Sequence, residues 1–274
     1  MKEKKSIAIL VTGLGKEYLK LSSKMISSLK KTNPDIEKKA DIWLYTDQDA
    51  LRLGFTMLPN DLKMRYMTPI FANELLEKYE CVIRLDSDMI ITGDISHVVE
   101  GDFDIGVVQN ANPRELQSQL AMMGRQVSVW DINPIDYINC GFVVMKSKRF
   151  VKHWLKLCTP ERATHYQFYE QDFLNILCFY GDYKVRFLDK GKNNKWHGLI
   201  VKGYTSEINL INKKLILPKG SGAEHDIWPE DTDKEIVCYH VAGGIIPNKF
   251  ADLDIRFKPE VAEYLKYLID EETV

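Results

Sequence analysis

The chain has 274 residues, of which 45% are hydrophobic and 28% are charged, a composition typical of a globular protein. Its formal net charge of -2 gives no electrostatic reason to expect nucleic acid as a partner. The apolar stretch 7–12 is too short for a signal sequence or a transmembrane helix, and no later stretch is long enough either. The five cysteines form no Cys-X-X-Cys pair, so we expect free thiols in a reducing cytoplasm.

Hydrophobic periodicity and turn residues predict strands and helices in alternation. In chain order we predict a strand over 6–12, a helix over 17–30, a strand over 42–45, a helix over 69–79 and strands over 81–85 and 105–108. A helix over 113–123, an extended segment over 138–145, helices over 149–158 and 165–179, a strand near 184–188, an irregular stretch over 189–230, a strand over 236–241 and a helix over 259–269 follow. Polar residues after each early strand indicate an α/β sheet with a ligand crevice. We see no linker, and therefore expect a single domain over 1–274.

The first predicted strand ends at Gly13-Leu14-Gly15, which resembles the start of the dinucleotide-binding fingerprint. That fingerprint requires a third glycine at position 18, where this chain has Tyr18. A Rossmann dehydrogenase is therefore disfavoured. The ring of Tyr18 is suited to stacking on a nucleobase, although a tyrosine in a helix is as often part of the packing.

Two carboxylates, Asp86 and Asp88, directly follow the predicted strand 81–85, with Ser87 between them. They therefore emerge at the carboxyl end of a buried strand, where an open α/β sheet places its ligand. Two oxygen donors so close in sequence can hold a hard divalent cation such as Mg²⁺ or Mn²⁺, and its open positions suit phosphate oxygens. Acidic pairs also serve simply to cap a strand end, and the spacing alone leaves both interpretations open.

Four parts of the chain together resemble a nucleotide-sugar glycosyltransferase of the GT-A fold, most closely family eight, the galactosyltransferase and glycogenin group. The first part, 65–69 with 82–88, resembles the family's helix that begins with an arginine and its Asp-X-Asp strand. The segment 139–145 resembles its Asn-Ala-Gly-Val strand, and 170–175 resembles its Asp-Gln-Asp-X-Leu-Asn helix start. The segment 240–243 resembles the opening of its His-X-X-Gly-X-X-Lys-Pro-Trp segment. The parts occur in the family's order. The resemblance implies a GT-A fold, with a mixed, mainly parallel sheet flanked by helices. We expect a nucleotide-binding half over about 1–110 and an acceptor and metal half over about 111–274.

The resemblance implies that Asp86, Asp88 and His240 hold Mn²⁺ (or Mg²⁺), which bridges the diphosphate of the donor. Oxygen and imidazole ligands together suit Mn²⁺ better than Ca²⁺. The implied activity is transfer of a hexose from a nucleoside diphosphate sugar, a UDP-sugar, to a carbohydrate or other hydroxyl acceptor, with retention favoured. Without the resemblance, His240 would fit a half-buried strand histidine better than a metal ligand.

The resemblance also implies roles for residues around the donor. The implied donor-binding residues are Thr12, Gly13, Tyr18, Asp47, Arg65, Ser87, Asn139, Gly141, Gly243 and Lys249. The implied catalytic residues are Gln171, Asp172 and Glu170. Gln171 would face the anomeric carbon, and because glutamine is a poor nucleophile we favour front-side displacement over a glycosyl-enzyme intermediate. Asp172 and Glu170 also stand where acids commonly cap a helix.

Two departures from the family pattern leave questions open. The chain has Ile246-Pro247-Asn248 where the family has Lys-Pro-Trp, so Lys249 is the nearby candidate for the phosphate-binding lysine. The stretch 189–229 shows no family pattern, and its tryptophans fit an acceptor surface or simple loop anchors. Two alternatives remain: a sugar-phosphate nucleotidyltransferase, for which the phosphate loop at 13–16 is too sparse, and a non-catalytic nucleotide-sugar binding module.

Overall fold

The computed structural model describes residues 5–52, 67–109, 137–159, 170–189, 195–197, 202–219, 233–241 and 249–271. Its strands are β1 (Ile7–Thr12), β2 (Ala40–Tyr45), β3 (Cys81–Leu85), β4 (Met89–Ile91), β5 (Ile105–Gln109), β6 (Ile138–Met145), β7 (Val185–Phe187), β8 (Lys195–Trp196), β9 (Asn209–Ile211), β10 (Lys214–Leu217), β11 (Lys234–Ile236) and β12 (Cys238–His240). Its α-helices are α1 (Lys16–Thr32), α2 (Ile36–Lys39), α3 (Asp47–Arg52), α4 (Met67–Leu76), α5 (Lys148–Leu157), α6 (Glu170–Tyr180), α7 (Leu253–Arg256) and α8 (Pro259–Ile269). Short 3₁₀ helices lie at Ser96–Val99 and Lys202–Glu207.

The central sheet has the strand order β2-β1-β3-β6-β5-β7. Only β6 runs antiparallel to its neighbours among these described strands, so the predicted mixed, mainly parallel sheet is confirmed. Because β6 is reversed, its first residues lie at the same edge as the carboxyl ends of β3 and β5. Leu85 pairs with Phe142, and Gln109 pairs with Ile138. This edge positions the candidate site.

Apolar side chains cover both faces of the central sheet. In β1, Ala8 and Leu10 enter one core cluster together with residues of α4, α5 and α6, whereas Ile9 and Val11 enter a second cluster with residues of α1. Burial of both faces explains why these strands are continuous apolar runs rather than alternating ones. In β3 the same alternation places Val82 on the α4 and α6 side.

Local signals fix the helix ends that border this core. Ser147 caps α5, since its hydroxyl oxygen accepts a hydrogen bond from the Phe150 N–H at 3.2 Å. α8 begins at Pro259, whose missing N–H costs nothing in a first turn. None of the helices within the described residues has the length and apolar character needed to cross a membrane.

Two predictions about the second half of the chain are wrong. The stretch 189–230 contains β8, β9 and β10, which join β11 in a sheet of order β8-β11-β10-β9. Strands of two to four residues are too brief to produce a periodic pattern. The predicted strand 236–241 is divided at Val237, whose N–H donates to the Trp196 carbonyl and whose carbonyl accepts from the Thr92 N–H, each at 2.8 Å.

β12, which follows this division, pairs antiparallel with β4. The predicted helix over 113–123 lies outside the described residues. The division of the chain into a nucleotide-binding half and an acceptor half stays a prediction.

Candidate active site

The turn 86–88 joins β3 to β4 at the carboxyl edge of the central sheet. The Asp86 N–H donates to the Gly141 carbonyl at 2.9 Å, which ties the turn to β6. The Met89 N–H donates to the Asp86 carbonyl at 3.3 Å and closes the turn. Ser87 is buried. Both carboxylates therefore stand at the strand end where the sequence predicts them.

His240 reaches these carboxylates because β12 pairs with β4, which places His240 opposite Met89. Nε2 of His240 lies 3.2 Å from Oδ1 of Asp88 and 3.7 Å from Oδ2 of Asp86. One ligand atom from each of the three residues lies within 4.8 Å of the others. Two carboxylates and an imidazole at this spacing fit a divalent cation such as Mn²⁺. The structure thus brings together the three predicted metal ligands.

Two basic side chains contact the other oxygens of the same carboxylates. A terminal nitrogen of Arg84 lies 2.7 Å from Oδ1 of Asp86, and Nζ of Lys249 donates to Oδ2 of Asp88. Burial raises the pKa of Asp88, but His240 and Lys249 outweigh it and hold that pKa well below its ordinary value. The Asp88 carboxylate is therefore ionised. Each of the two carboxylates has one oxygen paired with a basic side chain and the other facing His240.

Gly141 allows the histidine to come this close to β6. A Cβ on Gly141 would lie 2.5 Å from Cε1 of His240, 2.7 Å from Cε of Met89 and 2.8 Å from Oδ1 of Asn139. Asn139 is itself fixed, since its Oδ1 accepts from the Gly141 N–H at 2.8 Å. Because Gly141 has no side chain, the ring of His240, a predicted metal ligand, can pack directly against the backbone of β6.

The start of α6 places Gln171 and Asp172 beside the first residues of β6. Oε1 of Gln171 accepts from the Cys140 N–H at 2.8 Å, and the Gln171 side chain also bonds the Tyr137 hydroxyl. That hydroxyl donates to Oδ1 of Asp172 at 2.5 Å. Gln171 and Asp172 are half-buried. Both side chains are held in place before any substrate binds.

Glu170, at the first position of α6, is enclosed by protein and only 7% exposed. Its Oε1 accepts from the Thr68 hydroxyl at 2.8 Å and lies 3.4 Å from a terminal nitrogen of Arg84. Within the described part of the chain, its Oε2 has no hydrogen-bond partner. Burial raises the pKa of Glu170 to about 7, although Arg84 acts to lower it.

The predicted nucleotide residues at the first two strand ends lie close together. Oδ1 of Asp47 accepts from the Gly15 N–H at 3.0 Å, which links the loop after β1 to the start of α3. Thr12 ends β1, and a Cβ on Gly13 would lie 3.0 Å from the Ser22 hydroxyl oxygen. Tyr18 packs against a third core cluster beneath α1 and α8.

Two further predicted donor residues, Arg65 and Gly243, lie outside the described residues. Lys249 is described, and it contacts Asp88. The roles of all the predicted site residues stay predictions, because position alone assigns none of them.

Sequence reasoning missed three polar residues that build the site. Arg84 lies in the middle of a buried apolar strand, and a charge in such a run is a signal, because buried charges are paired. For Asn175, the indication of a role in the site was weaker, namely its place in the helix-start motif. Its side chain accepts from the Ile138 N–H at 2.7 Å and donates to the Ile138 carbonyl at 3.0 Å. For Tyr137, no pattern in the neighbouring sequence indicated a role in the site.

The family described as glycosyl transferase family 8 matches this chain over residues 68–216, which is more than half of its length. The chain belongs to glycosyl transferase family 8. It is therefore a nucleotide-sugar glycosyltransferase, and the family match decides against the nucleotidyltransferase and the non-catalytic module. No match is found among curated protein sequences.

Solved structures similar to this family 8 enzyme include two of the galactosyltransferase LgtC and one of a second glycosyltransferase. The galactosyltransferase LgtC in complex with donor and acceptor sugar analogs has a TM-score of 0.55 at 14% identity, over 96% of this chain and 95% of that chain. LgtC with the active-site substitution of a glutamine by glutamate has a TM-score of 0.51 at 13% identity, over 95% and 94%. A glycosyltransferase involved in glycosylation of the major capsid of PBCV-1 has a TM-score of 0.50 at 12% identity, over 96% and 98%. At these identities the likeness shows the fold alone, and that fold is GT-A.

Proposed function

We propose that this family 8 enzyme transfers a hexose from a UDP-sugar to a hydroxyl acceptor, in a reaction that requires Mn²⁺ (or Mg²⁺) and retains the anomeric configuration. The proposal rests on one observation, the cluster of Asp86, Asp88 and His240. The cluster lies across the start of β6 from the helix start that contains Gln171. A galactosyltransferase of the same fold was crystallised with donor and acceptor sugar analogs, which supports the binding of a donor and an acceptor sugar by this chain.

The residues of the cluster fit a divalent cation. Their ligand atoms are close, and one oxygen of each carboxylate faces the imidazole. Asp86, Asp88 and His240 would hold the ion, which when bound supplies positive charge to the departing diphosphate. With Arg84 and Lys249 already paired to the carboxylates, the protein part of the site is close to neutral. A bound cation would therefore attract the negative diphosphate strongly.

The chain's own residues would orient the donor sugar. Asn139 and Gly141 lie at the start of β6 next to the cluster. The amide of Asn139 can bond sugar hydroxyls, whereas both backbone groups of Gly141 are already bonded within the protein. Gln171 is fixed through Cys140 and Tyr137, so its dipole is preorganised. Because Glu170 is enclosed, Asp172 is the carboxylate of α6 that could reach donor hydroxyls. Because glutamine is a poor nucleophile, we favour front-side displacement, in which a phosphate oxygen of the donor accepts the acceptor's proton.

Release of nucleoside diphosphate tests the proposed donor and metal. Purified protein is incubated with a panel of nucleotide sugars, with Mn²⁺ or with EDTA, and free UDP is measured. We expect slow UDP release from one UDP-sugar, only with the metal, and loss of that release in Asp88→Asn. Asp102→Asn is the matched control, because its carboxylate is exposed and pairs only with Lys184 among the described residues. Release that is undiminished in EDTA or in Asp88→Asn would overturn the metal assignment.

Gln171→Ala tests the proposed chemistry at the anomeric carbon. We expect turnover to fall on the order of 100-fold with little change in donor dissociation constant, because a preorganised dipole acts mainly on transition-state charge. Active-site substitution of a glutamine in LgtC, which shares the fold, motivates this choice. Wild-type turnover with weakened donor binding would make Gln171 a binding residue. NMR of the product of the wild-type reaction then reports retention or inversion directly.

A further inference from the structure

Arg84 is a charged side chain inside the apolar strand β3. It is only 8% exposed, and its neighbours along the strand, Ile83 and Leu85, are fully enclosed core residues. Side chains alternate along a strand, so Arg84 lies on the same face as Val82, which packs towards α4 and α6. A buried charge lowers the stability of the fold unless it is paired. The partners of Arg84 therefore indicate its role.

Three partners from three parts of the chain surround the guanidinium. One terminal nitrogen donates to the Cys140 carbonyl of β6. The other lies 2.7 Å from Oδ1 of Asp86, in the cation cluster, and 3.4 Å from Oε1 of Glu170, at the start of α6. A planar guanidinium presents its donors in a fixed fork, so the three contacts fix one another's geometry.

The contact with Asp86 leaves the predicted metal-binding oxygen free. Arg84 bonds Oδ1, whereas Oδ2 is the oxygen that faces Nε2 of His240 at 3.7 Å. A side chain that bonds the outer oxygen of a metal-binding carboxylate orients the inner one, and loss of such a support typically weakens metal binding about 10-fold to 100-fold.

We propose that Arg84 is a positioning residue that holds Asp86 in its cation-binding orientation and connects the cation cluster to the helix start that contains Gln171. This inference rests on the proposed metal-dependent function. Glu170 then acts as the anchor of Arg84, and contacts neither donor nor acceptor. The oxygen of Glu170 that faces Arg84, Oε1, also accepts from the Thr68 hydroxyl, so the whole support is internal.

A simpler role would be that Arg84 only neutralises the buried Glu170. The two roles differ in what a double variant does. Arg84→Met keeps an unbranched side chain about as long as the arginine stem but leaves Glu170 without its cation. Arg84→Met combined with Glu170→Gln removes both charges together. The double variant therefore restores a folded core under either role. It restores the orientation of Asp86 only if Arg84 had no part in it.

The experiment compares wild type, Arg84→Met, Glu170→Gln and the double variant. Tm is measured in EDTA, and Mn²⁺ affinity is measured by calorimetry with saturating UDP. We expect Arg84→Met to lose both Tm and Mn²⁺ affinity. We expect the double variant to recover Tm while its Mn²⁺ affinity stays about 10-fold or more below wild type. Recovery of wild-type Mn²⁺ affinity in the double variant would overturn the proposal and leave Arg84 as a counter-charge.

Two more variants complete the design. Arg84→Lys keeps the charge for Glu170 and offers a second folded protein, but a single ammonium cannot reproduce the fork, so we expect weaker Mn²⁺ binding here too. Wild-type affinity in Arg84→Lys would also contradict the proposal. Arg186→Met in β7 is the matched control, since Arg186 contacts the Glu100 carbonyl on the surface, and should leave Mn²⁺ affinity unchanged.

The same titration separates this proposal from the proposed function. If the wild-type protein binds no Mn²⁺ in the presence of UDP, the metal-dependent function fails and this inference fails with it. If the wild type binds Mn²⁺ and releases UDP from a donor, but the double variant binds Mn²⁺ equally well, only the role of Arg84 is refuted.

Discussion

At the scale of single residues, the candidate site depends on small differences in side-chain size and reach. Gly141 is the clearest case, because the ring of His240 occupies the space that any larger residue would need. Lys249 is a second case, since it pairs with Asp88 across 161 positions of sequence. In both cases the chemistry of the site follows from which atoms can approach the two carboxylates.

Gly141→Ala should disable the cation cluster. The added methyl group would lie 2.5 Å from Cε1 of His240, so the ring must move away from Asp86 and Asp88. We expect a loss of about 1–3 kcal/mol in unfolding free energy, which is typical of overpacking. Calorimetry with UDP should show Mn²⁺ binding weakened at least about 10-fold.

Gly93→Ala is the matched control for this prediction. A Cβ there would meet its nearest atom, an oxygen of Glu235, at 3.3 Å, and the next, Cα of Val237, at 3.4 Å. The same methyl group is therefore tolerated away from the cluster. Wild-type Mn²⁺ binding in Gly141→Ala would show that the ring of His240 does not need its present position.

At the scale of elements, the side chain of Asn175 attaches α6 to the first residue of β6. Asn175 exchanges hydrogen bonds with both backbone groups of Ile138, and its amide also donates to the Gln171 carbonyl at 2.8 Å. The contact aligns the start of β6 with the helix turn that contains Gln171. The position of the proposed catalytic group therefore depends on an amide one turn further along the helix.

Asn175→Asp should destabilise the protein through this contact. The carboxylate keeps the acceptor for the Ile138 N–H but loses the donor for two buried carbonyls, and sets negative charge against them. We expect the free energy of unfolding, measured with urea, to fall by about 2–4 kcal/mol. Asn212→Asp, the same change in an exposed turn with a positive φ of 51° that aspartate tolerates, should stay within about 0.5 kcal/mol of wild type. Equal effects of the two substitutions would contradict the role of Asn175.

The link between the 3₁₀ helix Ser96–Val99 and β8 is a chain of imidazoles. Nδ1 of His197 bonds Oδ1 of Asp189 at 2.9 Å, and Nε2 of His197 lies 2.9 Å from Nε2 of His97. Nδ1 of His97 then accepts from Lys195, 3.4 Å away. Burial, together with the charges of His197 and Lys195, lowers the pKa of His97 to about 4, although Asp94 acts to raise it and Arg186 to lower it.

This chain of imidazoles predicts a loss of stability in mild acid. The folded protein has a His97 pKa of about 4 against 6.5 in the unfolded chain, so the unfolded state binds more protons between these values. The contribution of neutral His97 to the free energy of unfolding is fully present above about pH 6.5 and is lost as the pH falls towards 4. Because the His97 side chain is only half-buried, we expect this contribution to the free energy of unfolding to be about 1–2 kcal/mol. Urea unfolding of wild type and His97→Gln from pH 7 to 4.5 should show the steeper loss in wild type, and parallel curves would refute the assignment.

At the scale of the whole molecule, metal and nucleotide should stabilise the fold only together. The two carboxylates of the cluster are already paired with Arg84 and Lys249, so a cation alone gains little attraction, whereas a diphosphate supplies the missing negative charge and ligands. At 100 times the dissociation constant, a ligand adds about 2.7 kcal/mol to the unfolding free energy, or a Tm rise of about 5 °C for a chain of this size.

Thermal unfolding with UDP and Mn²⁺ together should show this rise. UDP in EDTA and Mn²⁺ without nucleotide are the two controls, and each should shift Tm by less than about 1 °C. A full shift from UDP in EDTA would mean that the nucleotide binds without the cation, and the metal-dependent function would be wrong.

The sequence by itself determined the local elements of this protein and the order of its motifs. The extended segment Ile138–Met145 and the helix Pro259–Ile269, which begins at a proline, form as predicted, because propensity and capping act within a few residues. Asp86 and Asp88 were found at a strand end for the same reason. The short strands of the segment 189–230 were missed, since their stability comes from pairing with distant strands.

Only the tertiary structure decided what surrounds the two carboxylates. His240 approaches Asp88 through the pairing of β12 with β4, and Arg84 meets Glu170 from 86 positions away. Such contacts are selected by the packing of whole elements, which brings together side chains that no local pattern relates. A charge inside β3 could be recognised from the sequence as one that must be paired, but its partners are set by which helix covers that face of the sheet.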